Sequence, residues 1–144
     1  MKAIAVVGTK KTGKTTVVTA LVRSLSGYGR VGTIKNMAGH SIDRGDTRRH
    51  FDAGAEVVIG LGEGQLKLKR GGSLESALAE LQEEGMDFAV VEGFKHSHLP
   101  KIVLGEADVP NVLRRMSVSE LDGGLLEELT RLIIGMRDYQ AVGP

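Results

Sequence analysis

Gly8-Thr9-Lys10-Lys11-Thr12-Gly13-Lys14-Thr15 decides how the rest of this chain is read. The stretch satisfies G-x-x-x-x-G-K-[ST]. It follows an apolar run, Ala3 to Val7, and precedes Val17, Val18, Leu21, Val22 and Leu25, which recur at helical spacing. Strand, glycine loop and helix in that order make a phosphate cradle. The glycines let successive backbone NH groups turn onto phosphate oxygens, and the helix beginning near Gly13 adds the positive end of its dipole. Lys14 is expected to reach the β- and γ-phosphates as a point charge, and the Thr15 hydroxyl to complete a Mg²⁺ sphere. Thr16 either bonds phosphate or opens the helix. Because the chain holds 20 glycines in 144 residues, a chance match has to be excluded. The composition yields about 0.02 expected matches even before the flanks are required. Thr9 and Thr12 belong to the same cradle, whereas Lys10 and Lys11, though near the phosphates, read more simply as loop lysines in water.

Working outward, Gly27 and Gly29 stop the first helix, and Val31 to Lys35 reads as a second strand. A polar stretch from Asn36 to Asp46 feeds a short helix around Thr47 to Ala53. Val57 to Ile59 and Gln65 to Lys69 flank a glycine turn, the second alternating Leu66, Lys67, Leu68, Lys69. This is the pattern of an antiparallel ribbon with one wet face. Ser73 caps a helix burying Leu74, Ala77, Leu78 and Leu81, stopped by Gly85. Phe88 to Val91 is a continuous apolar run, as expected of a strand covered on both faces. Ile102 to Leu104 and Val112 to Arg115 are further strands separated by the Pro110 turn, and Leu125, Leu126, Leu129, Leu132, Ile133 and Met136 form a closing amphipathic helix. Strands alternating with helices predict a three-layer α/β fold of the P-loop NTPase type, with a mostly parallel sheet and an antiparallel edge ribbon. Residues 1–138 are read as one nucleotide-binding domain and 139–144 as a flexible tail.

Composition narrows the partners. A net charge of +1 gives no basic field, and 3% aromatic residues leave no stacking platform, so nucleic acid is not expected. Without cysteine there is no zinc-thiolate site and no thiol nucleophile. The apolar start is too short for a signal peptide and no run approaches a membrane span, so a cytoplasmic protein is expected.

A P-loop site needs a carboxylate at the end of a neighbouring strand to hold the metal or its water. Glu92 directly follows the best central strand and is therefore placed at the carboxyl edge of the sheet, beside the phosphates. Asp87, at the other end of that strand, reads as a cap. The loop from Lys35 to His50 gathers two histidines, two acids and three arginines after a strand, on the ligand side of the sheet. Of His40, Asp43, Asp46 and His50, only Asp46 and His50 have helical i, i+4 spacing, so anion contacts are preferred to a transition-metal site. Lys95 and Lys101 lie close enough to the sheet edge to touch ligand, while His96 and His98 read as loop residues. No N-K-x-D motif reads the base.

Several of these blocks together resemble the MobB family: Gly8 to Thr15; Thr33-Ile34-Lys35; Asp43 with Asp46-Thr47-Arg48-Arg49-His50-Phe51-Asp52-Ala53-Gly54-Ala55; Val91-Glu92-Gly93-Phe94-Lys95; and Pro100-Lys101-Ile102. These are P-loop proteins of molybdenum-cofactor biosynthesis, associated with making molybdopterin guanine dinucleotide. The resemblance implies GTP as ligand, Mg²⁺, weak GTPase activity, homodimerisation and an adaptor role beside the molybdopterin guanylyltransferase or a molybdoenzyme. It also implies that Lys14 and Thr15 carry phosphate and metal, that Glu92 and Lys95 belong to the active face, and that Asp43, Asp46 and Arg49 match the middle motif. The chain departs from the family in having Asn36 where a histidine is common after the strand-ending lysine, and in having Gly45 and Asp46 adjacent. On the residues alone, a small-molecule kinase and a nucleotide-binding module without turnover remain alternatives.

Overall fold

β1 (Lys2–Gly8) runs into the glycine loop and α1 (Lys14–Leu25) leaves it, in a computed structural model that describes residues 1–37 and 45–141. There follow β2 (Val31–Lys35), α2 (Asp46–Asp52), β3 (Val57–Leu61), β4 (Gln65–Lys69), α3 (Leu74–Glu83), β5 (Phe88–Glu92), β6 (Lys101–Leu104) and β7 (Val112–Met116). A 3₁₀ turn, Val118–Glu120, precedes α4 (Gly123–Ile134), whose first turn is capped by the Asp122 side chain accepting from the Leu125 amide at 2.8 Å. The chain forms two compact units, Met1–Asn36 with Leu74–Pro144, and Met37–Ser73.

The first unit is built on a five-stranded sheet of order β2-β5-β1-β6-β7, parallel throughout. Side chains of a strand alternate between faces, and here both faces are covered. Ile4 and Val6 of β1, Val90 of β5 and Ile102 of β6 pack with Val17, Leu21 and Leu25 of α1 and with Leu129 and Ile133 of α4. The intervening residues Ala3, Ala5, Val7, Ala89 and Val91 pack on the other side with Leu74 and Leu78 of α3. Small side chains on that face let α3 lie close to the sheet. At Gly32 of β2 the approach is closest: a Cβ there would sit 2.6 Å from Leu81 Cδ2. Each large apolar side chain buried in this way contributes about 1.5–3 kcal/mol. A polar link between α1 and α4 is the Ser24–Thr130 hydroxyl pair at 2.8 Å, with Thr130 also donating to the Leu126 carbonyl. Beyond α4 the Tyr139 amide donates to the Met1 carbonyl at 2.7 Å, and Lys2 pairs with Asp138 at 3.0 Å.

In the second unit, β3 and β4 pair antiparallel as a two-stranded sheet of their own. Val58 and Leu68 face Phe51 of α2, and the Arg70 guanidinium stacks 4.0 Å from the Phe51 ring centroid while donating to the Phe51 carbonyl. The register puts Lys67 and Lys69 on the outer face, as the alternation predicts, but Val57, Ile59 and Leu61 share that face and are exposed, Leu61 by 81%.

Candidate functional site

Two glycines of the loop are required by what lies against them. A Cβ at Gly8 would stand 2.9 Å from the Leu104 carbonyl oxygen, and one at Gly13, whose φ is +93°, would stand 2.7 Å from the Val118 side chain. Gly8 thus lies close against the end of β6, and Gly13 against the 3₁₀ turn that follows β7. Within the loop Thr12 donates to the Thr9 carbonyl at 2.8 Å, and Lys14 Nζ bends back to the Gly8 carbonyl at 3.0 Å. Thr9, Lys10, Lys11, Thr15 and Thr16 are exposed, which leaves the concave side of the loop open.

The strand order explains how Glu92 comes to the loop. β5 lies between β2 and β1, with Glu92 level with Lys35 on one side and Val6 on the other. Its backbone is tied on both sides, the Asn36 amide donating to the Glu92 carbonyl and the Gly93 amide to the Val6 carbonyl, both at 2.9 Å. The nearly buried carboxylate is then shared: Thr15 donates its hydroxyl to Oε1 at 2.6 Å, and Lys35 Nζ stands 3.6 Å from Oε2. Lys35 is largely exposed, so that ion pair contributes at most about 1 kcal/mol, whereas the hydroxyl-to-carboxylate bond is charge-assisted and short. The chain leaves the strand through two successive left-handed residues, Gly93 at φ +98° and Phe94 at φ +61°, with Phe94 packed against the second core. This double turn presents Lys95, exposed and without a hydrogen bond or ion pair among the described residues.

The donor chemistry suits Mg²⁺. A hydroxyl and a carboxylate are hard oxygen ligands, and Mg²⁺ typically takes one or two protein oxygens and completes its octahedron with water and phosphate oxygens. Among the described residues no group of three or more His, Cys, Asp and Glu side chains converges on a common point.

The remaining sequence candidates fall elsewhere. Asp46 and Arg49 sit on α2 in the second unit, as an exposed i, i+3 pair 3.6 Å apart, and Arg48 pairs with Asp52 at 2.9 Å. His40 and Asp43 lie outside the described residues. Asp87 accepts from the Arg30 amide at 2.8 Å, at the amino end of β5, in the capping role read from the sequence. Lys101 is corrected: it does not face ligand. Its side chain is fully buried, and its ammonium donates to the carbonyls of Ser97, Leu99 and Pro110, tying the 97–99 turn to the one at Pro110. Burial pushes its pKa below the usual lysine value.

A feature that no motif announced lies on the other side of β1, where β6 and β7 end. A cavity of about 450 Å³ opens there, lined by Lys11 and Thr12 of the loop together with Gly105, Glu106, Ser117 and Glu120. Its size is that of a small-molecule site. The Arg115 guanidinium holds one wall by donating to the Gly105 carbonyl at 3.2 Å. The opposite wall is a capping box, in which Glu120 accepts from the Ser117 amide at 2.9 Å and the Ser117 hydroxyl accepts from the Ser119 amide. The sequence signal was available in Ser117-x-x-Glu120 and in two strands ending on the ligand edge of the sheet.

Comparison with known proteins bears on the family and the fold. The family model described as molybdopterin guanine dinucleotide synthesis protein B matches residues 3–120. A MobB protein homolog from Bacillus stearothermophilus is similar in fold, with TM-score 0.74 and 22% identity over 94% of this chain and 100% of that one. Bacillus subtilis MobB gives TM-score 0.73 and 21% identity over the same shares. A further structure, of molybdopterin-guanine biosynthesis protein B, gives 0.58 and 19% over 92% and 96%. A search of curated proteins finds no match.

Proposed function

Because the chain belongs to the MobB family of molybdopterin guanine dinucleotide synthesis proteins, we propose that it binds GTP with Mg²⁺ in the glycine loop and serves as an adaptor in that pathway. That it is a P-loop nucleotide-binding protein of molybdenum-cofactor biosynthesis follows from the family. The proposal concerns base, metal, turnover and partners. The observation that carries it is the 2.6 Å contact between the Thr15 hydroxyl and the Glu92 carboxylate at the mouth of the loop.

In this reading Lys14 exchanges the Gly8 carbonyl for phosphate oxygens, and the backbone NH groups from Gly8 to Thr16 supply the cradle. Thr15 and Glu92 would hold the metal, and Lys35, beside Glu92, would add positive charge at that edge of the loop. Mg²⁺, when bound, neutralises charge on the β- and γ-phosphates. Slow hydrolysis of the bound nucleotide belongs to the same reading. Lys95, in the same unit as the glycine loop, is assigned to nucleotide contact.

The partners proposed are the molybdopterin guanylyltransferase or a molybdoenzyme, met in the cytoplasm by a homodimer of this chain. Among the described residues no helix is long and apolar enough to cross a membrane. The exposed row Val57, Ile59 and Leu61 supports burial of the ribbon against a second copy. Calorimetric titration with GTP and ATP, with and without Mg²⁺, tests the core of the reading. GTP is expected to win, and Glu92→Gln to fold normally while losing the Mg²⁺-dependent part of binding by about tenfold or more. Preference for ATP, or no nucleotide binding, would refute it.

A further inference from the structure

We propose that the 450 Å³ cavity beside Lys11 and Thr12 receives the nucleoside half of the nucleotide, and that Glu106 is the carboxylate that reads guanine. The assignment rests on the glycine loop holding a nucleoside triphosphate. Phosphates that fill the loop leave the sugar and base to emerge on one side of it. On the β5 side stand Thr15, Glu92 and Lys35, the groups assigned above to the metal and to the charge at that edge of the loop. On the β6 and β7 side the loop's own Lys11 and Thr12 form the rim of the cavity, so a nucleoside leaving the loop there enters it directly.

The cavity is also built as one piece with the loop. Gly8 lies against the Leu104 carbonyl and Gly13 against Val118, so the walls and the cradle share the same close contacts. Pre-organisation of this kind lowers the ordering cost of binding. The walls include Leu104, Met116 and Val118, of which Leu104 and Met116 are nearly buried and Val118 is partly exposed.

The polar groups then discriminate. Guanine presents two donors on one edge, N1–H and the 2-amino group, which match the two oxygens of a carboxylate. Adenine presents an acceptor at N1, which a carboxylate repels. Of the two acids in the walls, Glu120 has one oxygen committed to the Ser117 amide, whereas Glu106 makes no hydrogen bond or ion pair among the described residues. Arg115 fixes the loop that carries Glu106 through the Gly105 carbonyl. A carboxylate reached from the end of β6 would thus do the work for which the sequence offers no N-K-x-D motif.

The test is calorimetric titration of the wild type and of Glu106→Gln with GTP, ITP, XTP and ATP in Mg²⁺, each variant checked for folding by thermal unfolding. The wild type is expected to bind GTP more tightly than ITP, which lacks the 2-amino donor. Glu106→Gln is expected to lose GTP by about tenfold or more and to gain XTP, whose 2-oxo group accepts from the new amide. Glu120→Gln, which weakens the capping box, is expected to lower the unfolding temperature and still prefer GTP to XTP. Unchanged GTP preference in Glu106→Gln, or the switch to XTP appearing in Glu120→Gln instead, overturns the assignment while leaving GTP binding intact. A wild type that binds none of the four nucleotides overturns the glycine-loop reading and this inference with it.

Discussion

Replacing Lys101 by methionine removes an ammonium and keeps most of the volume of a fully buried side chain. The cost follows from the three carbonyls, of Ser97, Leu99 and Pro110, that lose their donor. An orphaned buried acceptor costs about 1–3 kcal/mol. Against that sum stands the desolvation of the ammonium, several kcal/mol, which the variant no longer bears. The net expectation is a loss of about 2–4 kcal/mol in urea unfolding near neutral pH. The pH dependence has a definite sign. Burial holds the folded pKa of Lys101 below that of the unfolded chain, so the unfolded state binds more protons between the two values. Stability from this group therefore rises as pH climbs from the folded pKa toward about 10.4, and the gap between wild type and variant widens there. Lys101 stands level with Ala5 in β1, three residues or about 10 Å short of the contact between Leu104 and Gly8, so GTP affinity per folded molecule stays unchanged. A stability loss under about 1 kcal/mol would refute the reasoning, as would a fall in GTP affinity, which would return Lys101 to the ligand.

Gly93→Ala imposes a left-handed conformation on a residue with a Cβ, and that Cβ would stand 2.9 Å from Asn36 Cβ. A loss of about 1–3 kcal/mol in thermal unfolding is expected, with weaker Mg²⁺-dependent GTP binding because Glu92 is displaced. Asp138 has its pKa lowered by the hydrogen bond from Lys2, then by the charges of Lys2 and the Met1 amino group. Its contribution is present above the unfolded carboxylate pKa and lost as pH falls through the folded one, so Asp138→Asn flattens the fall in unfolding temperature between neutral pH and about pH 3.

Local order made part of this molecule legible from sequence. The strand, loop and helix around Gly8 to Thr15 are contiguous, and Glu92 could be placed because an uninterrupted apolar run ends at it. The parallel sheet followed from short continuous apolar runs alternating with segments of helical spacing. What escaped depends on pieces distant in sequence. Lys101 reads as a surface lysine until the turns at 97–99 and at Pro110 bring carbonyls around it. The cavity draws on residues near 11, 105 and 117, none conspicuous alone. The outer face of the ribbon carried the lysines expected of it, but the pairing register added Val57, Ile59 and Leu61 to the same side.

Lys14 rests on the Gly8 carbonyl and Thr15 on the Glu92 carboxylate. On the proposed reading, a nucleotide whose phosphates and metal take up those two groups gives up both internal bonds as it binds. Inorganic phosphate or sulfate has few oxygens over which to recover that cost, whereas a triphosphate with its metal recovers it at several points together. On that reading the loop would favour a metal-bound triphosphate over small anions such as sulfate.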